Sequence, residues 1–351
     1  MKIAIMGTIT QSNLEAFLAQ GFRDLGHQTV IFDAWKNRGN PLYHRHPASL
    51  MLGLPRIRHW YNARHLAYVN VYARRFLEAE RPDFVITHNG ALLQPDTIQY
   101  AVQRFRIPFA TYAADDPTLG MLLPDYLPCL PYFTHVFACE TALVPKLNRL
   151  TTHRVEFLPV GAPPDVYYPV TPSDRERQLF ESNLGYVSSG YSGSPFGVYR
   201  ALLLKNVADL GLKIFGDRHW DYIARRVPEI APYIHVTGFL NPERMRAFFA
   251  STRIFLGVVH PQMVTAAGQR LFDAAAAGTF TLAEYKADIE RLFPKGEIET
   301  FRSKEEMREK AVYYLEHPEQ RQEKAAAARA RVLAEHTWKH RARQILETVF
   351  G

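Results

Sequence analysis

The stretch Gly268-Gln269-Arg270-Leu271-Phe272-Asp273-Ala274-Ala275-Ala276-Ala277-Gly278-Thr279, running straight into Phe280-Thr281-Leu282-Ala283, decides how the chain is read. Its polar opening, small-residue middle and closing glycine predict a helix followed at once by a buried strand. A helix that is almost all alanine lies close against a sheet. Its open N-terminus presents unpaired N–H groups and partial positive charge, a setting suited to a diphosphate. Asp273 falls about a turn and a half in, where a carboxylate accepts hydrogen bonds from ribose hydroxyls. Taken alone, the stretch also describes a packed surface helix with a solvated acid, so its surroundings carry the decision.

Outward from this stretch, strand and helix alternate along most of the chain. In the first half, Lys2–Gly7, Thr29–Asp33, Asp83–His88, Phe109–Ala114, His135–Cys139 and Val155–Val160 read as short strands. Helical patterns at Ser12–Leu25, Ala63–Ala79 and Pro95–Arg104 lie between them. Nearly continuous apolar strands alternating with helices predict a doubly wound parallel sheet. A proline-rich passage follows, with Pro163, Pro164, Pro169 and Pro172 ahead of Asp174-Arg175-Glu176-Arg177. The alternation then restarts with Leu184–Ser188, Lys213–Phe215, His235–Thr237, Ile254–Val259 and Phe280–Leu282, and the chain closes in helices. We therefore expect an α/β protein with a Rossmann-like domain over 1–165 and a linker over 166–180. A second such domain spans 181–335, and a terminal helix over 336–351 returns toward the first. Two sheets of this kind, facing across a cleft, bind ligands at the carboxyl ends of their strands.

Size and composition agree with two soluble domains: 351 residues, 47% hydrophobic and 22% charged. No apolar run approaches the roughly 18–20 residues that span a bilayer. The chain opens directly on a strand-like segment without a signal-peptide pattern, and its two cysteines, Cys129 and Cys139, lack zinc spacing. A cytoplasmic protein is expected. The net charge of +7 is uneven: Arg56, Arg58 and Arg64, with Trp60 among them, belong to a basic, aromatic stretch from Lys36 to Arg75. Such a stretch serves as an acceptor-side patch for phosphate, anionic lipid or nucleic acid, or simply as a solvated helix face.

The motifs narrow the chemistry. Gly7-Thr8-Ile9-Thr10 is not GxGxxG and no GKS/T phosphate loop occurs, which argues against dehydrogenase and NTPase chemistry. Thr111-Tyr112-Ala113-Ala114-Asp115-Asp116-Pro117 ends a strand on paired acids. One of them is a candidate base or hydroxyl-orienting group, although Asp-Pro also starts turns. His88, closing another strand, is the leading acid–base histidine, with a packed structural histidine as the alternative. In the second half, Ser189 and Gly190 open a small-residue loop, with Arg200 and Lys205 on the helix after it. Gly216 and Asp217 end the next strand, and Gly238 and Phe239 follow the one after. With Gln269, Arg270 and Asp273 they form the expected nucleotide-binding rim. No HxH, HExxH or DxD stands in a metal-binding context, so no metal is expected.

The chain resembles the CgeB-like, or spore-maturation-type, glycosyltransferases of the two-domain GT-B fold. The resemblance lies in Ala114-Asp115-Asp116-Pro117, Val187-Ser188-Ser189-Gly190, Leu212-Lys213-Ile214-Phe215-Gly216 with Trp220, and Thr237-Gly238. It continues in Gln269-Arg270-Leu271-Phe272-Asp273-Ala274, Gly278, Arg291-Leu292-Phe293, and Glu335-His336-Thr337-Trp338 with Arg341. It is strongest from about residue 185 onward. The resemblance implies a UDP-, GDP- or dTDP-linked sugar as substrate, no cofactor, and a hydroxyl-bearing glycan, lipid-linked or protein acceptor. It places ribose on the carboxylate at Asp273, with Arg200, Lys205 and Arg270 offsetting the leaving diphosphate. Two departures stand out: Gln269-Arg270-Leu271-Phe272-Asp273 replaces Asn-x-Arg-x-Phe-Glu, and Thr265 stands eight positions before the ribose acid, where related retaining enzymes place a first glutamate. Two other readings compete, a nucleotide-sugar epimerase and a non-catalytic module binding an anionic polymer. Nucleic acid lacks a supporting motif, while the basic stretch suits peripheral contact with an anionic inner membrane face.

Overall fold

The computed structural model describes residues 1–7, 14–34, 55–119, 126–191 and 194–351, with the backbone alone at 55–62 and 91. Among the described residues twelve short strands pair in parallel within two six-stranded sheets. The first sheet contains β1 (Lys2–Gly7), β2 (Gln28–Asp33), β3 (Phe84–His88), β4 (Phe109–Ala113), β5 (His135–Ala138) and β6 (Val155–Phe157), in the order β2-β1-β3-β4-β5-β6. The second contains β7 (Ser182–Val187), β8 (Leu212–Gly216), β9 (Ile234–Val236), β10 (Thr252–Gly257), β11 (Thr281–Glu284) and β12 (Glu299–Phe301). Its order is β12-β11-β10-β7-β8-β9. Flanking helices leave the central strands almost wholly buried, which is why β1, β3, β4 and β10 read as apolar runs.

Two compact units result: residues 1–159 with 339–351, and residues 160–338. The expected linker over 166–180 is instead part of the second unit. Tyr167 and Phe180 are buried there, and Phe180 packs edge-on to Phe215 and Phe248. The helix Asp174–Phe180 is started by a capping box between Ser173 and Glu176. Proline and charge had suggested an exposed tether, but aromatic burial fixes the passage in place. Ala162 and Thr337 form a parallel bridge, with Ala162 N–H donating to His336 O (2.8 Å) and Trp338 N–H to Ala162 O (3.0 Å). A Cβ on Gly161 would come within 2.9 Å of the Thr337 carbonyl carbon, so this approach needs glycine. The terminal helix, Trp338–Phe350, buries Ala342 and Ile345 in the first unit, and Phe350 meets Phe84 edge-on. Among the described residues no helix is long and apolar enough to cross a membrane.

Candidate active site

The first sheet changes direction between β1 and β3, and ligands of open parallel sheets collect at the carboxyl ends of strands at such a point. There β1 ends on Gly7 and β3 on His88. Glu15, in the first turn of the helix Leu14–Arg23, is buried, and its Oε1 lies 2.9 Å from His88 Nδ1. A Cβ on Gly7 would sit 2.5 Å from that oxygen, so glycine makes room for the pair. Burial alone would lower the His88 pKa, yet the Glu15 hydrogen bond and charge, with Asp115 adding, hold it above the ordinary histidine value. Nε2, the other ring nitrogen, is buried without a hydrogen-bond partner among the described residues.

The backbone after β3 is unusual. Asn89 (φ 46°), Gly90 (φ 74°) and Leu92 (φ 62°) all take left-handed conformations, and non-glycine residues there cost about 1–3 kcal/mol each. Buried Asn70 holds this turn, donating to Leu66 O and Leu92 O and accepting from Gln94 N–H. Asn89 in turn donates to Asp115 Oδ2 (3.0 Å) and accepts from Ala114 N–H (2.9 Å), joining the ends of β3 and β4. The paired acids thus separate. Asp115 belongs to the His88 cluster. Asp116 is buried, accepting from Lys146 Nζ and from the backbone and hydroxyl of Thr118 (2.9 and 2.7 Å). Burial would raise its pKa, but those bonds hold it below the usual carboxylate range. Asp116, expected with Asp115 as a catalytic candidate, is thus engaged in fixing this turn. Behind the cluster, Arg341 of the terminal helix is buried near Tyr112, and burial draws its pKa down to about 10.

The second sheet reverses between β10 and β7. Here the loop after β7 is knotted to the one after β8. Asp217 accepts from Gly190 N–H (3.0 Å), from His219 N–H (3.1 Å) and from the Ser189 hydroxyl. Arg200, almost fully buried, donates to Ser189 O (2.6 Å) and Phe196 O (3.3 Å). Close backbone approach makes this possible: a Cβ on Gly197 would lie 1.9 Å from Gly190 O, and one on Gly216 2.2 Å from Ser188 O. Ser189, Gly190, Arg200 and Asp217, all expected on the nucleotide-binding rim, thus hold one another in place where β7 and β8 end. Tyr191, next in the loop, is again left-handed (φ 51°). His260, after β10, packs its ring 3.7 Å from that of Phe196. Burial, then the Arg200 charge, lower its pKa to about 4, so the imidazole is neutral near pH 7.

The opening stretch forms a helix over Gln269–Ala276, capped by Gly268. Because it runs back from the carboxyl end of β10, its N-terminus lies on this rim. Asp273 has no accessible surface: Gln269 donates to Oδ1 (2.7 Å) and Arg270 to Oδ2 (2.8 Å). Burial raises its pKa to about 6 against the pull of Arg270. Gln269 also donates to Gly161 O (2.9 Å). Asp273, the expected ribose contact, here holds Arg270, whose side chain stays 43% exposed. Lys205 stands just before β8, at the opposite end of the sheet, paired with Glu229 at 3.1 Å, and so lies off the rim. Gly238 is left-handed (φ 72°) with open space beside it, and Phe239 is 83% exposed at the end of β9. Arg64 is exposed on the helix Pro55–Glu80, while the side chains of Arg56, Arg58 and Trp60 lie outside the described residues.

Glu15, Asn89 and Glu284 stand at the two sheet reversals without a sequence motif to mark them. Glu284 ends β11, accepts from the Tyr199 hydroxyl (2.7 Å) and keeps Oε2 buried without a partner among the described residues. The one signal is that Glu15 is the sole acid of its helix and lies in the first turn. Among the described residues no group of three His, Cys, Asp or Glu side chains is placed to hold a metal ion.

Residues 200–347 match the family model described as "Glycosyl transferase-like". No curated protein is matched by sequence. Among solved structures, the chain is similar to sucrose-phosphate synthase from Thermosynechococcus elongatus (TM-score 0.72, 12% identity, covering 99% of this chain and 98% of that one). It is also similar to Anabaena Alr3699/HepE in complex with UDP and glucose (TM-score 0.66, 15% identity, 99% of both chains). A third is a glycosyltransferase from Rickettsia africae (TM-score 0.64, 13% identity, 99% and 97%). The protein has the two-sheet α/β architecture of the GT-B fold.

Proposed function

We propose that the protein is a glycosyltransferase that moves a sugar from a nucleotide-sugar donor to a hydroxyl-bearing acceptor. The observation that carries this reading is the pair of strained loops at the two sheet reversals, one holding an oriented histidine and the other beside an exposed arginine. Supporting it are the family match over residues 200–347 and the UDP in the similar HepE complex. The second unit holds the donor. Arg270, oriented by Asp273, and the helix start beside it meet the diphosphate, and Phe239 offers a face on which a base stacks. In the first unit His88 takes the acceptor proton on Nε2, with Glu15 fixing its ring and Asp115 orienting the hydroxyl. The acceptor oxygen bonds to the anomeric carbon as the bond to the diphosphate breaks. Charge on the leaving group is met by side chains, so transfer proceeds without a metal and survives EDTA. A CgeB-like subgroup, cytoplasmic residence and contact of the Arg56–Arg64 segment with anionic acceptors or membrane are the finer parts of this proposal.

The test is product formation by mass spectrometry across UDP-, GDP- and dTDP-sugars with glycan and lipid-linked hydroxyl acceptors. His88→Ala should lose transfer while binding nucleotide as before. Equal turnover by wild type and H88A, or isomerised donor formed without acceptor, would sink the proposal.

A further inference from the structure

The second unit carries a cleft of about 510 Å³ that the proposed reaction does not use. It opens against Thr252 at the start of β10 and against Gly278–Phe280 leading into β11. In a parallel sheet these are the amino ends of the strands, opposite the rim that carries Arg270 and Ser189. Its volume falls in the range of small-molecule sites, and Phe249, Phe280 and Pro169 give it apolar walls.

Three arginines line it: Arg253, exposed, and Arg321 and Arg329, half-buried on one face of the helix Pro318–Glu335. None makes an ion pair with a carboxylate among the described residues, although Lys324 and Arg331 of the same helix pair with Glu299 and Glu297. Two of the guanidiniums are held in place by backbone: Arg329 Nε donates to Ala276 O (3.1 Å) and Arg321 to Tyr314 O. Burial, then the charge of Arg253, lower the Arg321 pKa, with Glu319 opposing in part, so the guanidiniums of Arg253 and Arg321 stand close enough to repel. Planar guanidiniums converging on an apolar-walled hollow are the donor set for a phosphate attached to a carbon skeleton.

We propose that this cleft binds a small phosphorylated metabolite, at a site separate from the donor rim and independent of the transferase reading. Calorimetric titration with glucose 6-phosphate and with inorganic phosphate, neither of which carries the diphosphate that the rim is proposed to take, tests it on wild type, Arg253→Glu and Arg270→Ala. Both probes should bind wild type and R270A alike, and R253E should weaken them by about tenfold or more. Tighter binding of glucose 6-phosphate assigns the ester as ligand, and tighter phosphate assigns the bare anion. Without ligand, R253E should melt no lower than wild type, since it relieves repulsion between like charges. No binding at millimolar probe, or binding weakened by R270A and untouched by R253E, would overturn the proposal.

Discussion

Adjacent in the chain, Asp115 and Asp116 leave the end of β4 for different partners, and their substitutions should separate accordingly. Asp116→Asn removes the charge that accepts from Lys146 and Thr118, and should cost about 1–3 kcal/mol of stability in denaturant unfolding. Asp115→Asn should unfold like wild type but turn over more slowly. If Asp115→Asn keeps full activity, Asp115 does not orient the acceptor hydroxyl. His88 also makes a signed pH prediction. Its folded pKa lies above the ordinary 6.5, so the protonated ring adds stability below that value, and the gain is lost as pH rises through the folded pKa. The neutral base is available only above it. Activity should therefore rise with pH along a limb higher than 6.5, and Glu15→Gln should move that limb to lower pH. A limb unmoved in E15Q contradicts the assignment. The sequence singled out His88, Asp115 and Arg270 because strand ends and helix starts are visible locally. It did not disclose Glu15, which meets His88 from 73 residues away, nor that Gln269 and Arg270 close over Asp273.

Among elements, the glycines of the second rim decide more than its polar residues. Gly197→Ala would drive a methyl group to within 1.9 Å of Gly190 O, and the backbone on the far side cannot yield. We expect a loss of about 1–3 kcal/mol, the usual cost of forcing atoms into a filled space, together with weaker nucleotide binding as the Ser189–Asp217 knot opens. Proteolysis at the β7 loop with and without UDP would read both effects, and a G197A protein as resistant as wild type would refute the packing argument. Strand and helix order was legible because buried parallel strands are apolar without interruption. The edge strand β12 escaped because Glu299-Thr300-Phe301 is short and half polar, with Glu299 engaged by Lys310 and Lys324. The 166–180 passage was misread for the converse reason: proline and charge are local, whereas burial of Tyr167 and Phe180 depends on residues far along the chain.

For the molecule as a whole, the chain passes between the units twice, near residues 159–160 and 338–339. Removing residues 339–351 takes Arg341, Ala342, Ile345 and Phe350 from the first unit. Hydrogen exchange should then show β1, β3 and β4 losing protection while β7, β8 and β10 keep theirs. Uniform loss across both sheets would mean that the units do not fold as described. The central claim is that the carboxyl rim of the second sheet captures the diphosphate of a nucleotide through Arg270. Isothermal titration of UDP, GDP and dTDP into wild type and Arg270→Ala measures this directly. One of the three should bind wild type, and R270A should weaken it by about 1–3 kcal/mol, the loss of a charge-assisted contact. Absence of binding by all three, or equal affinity in the two proteins, would contradict the account.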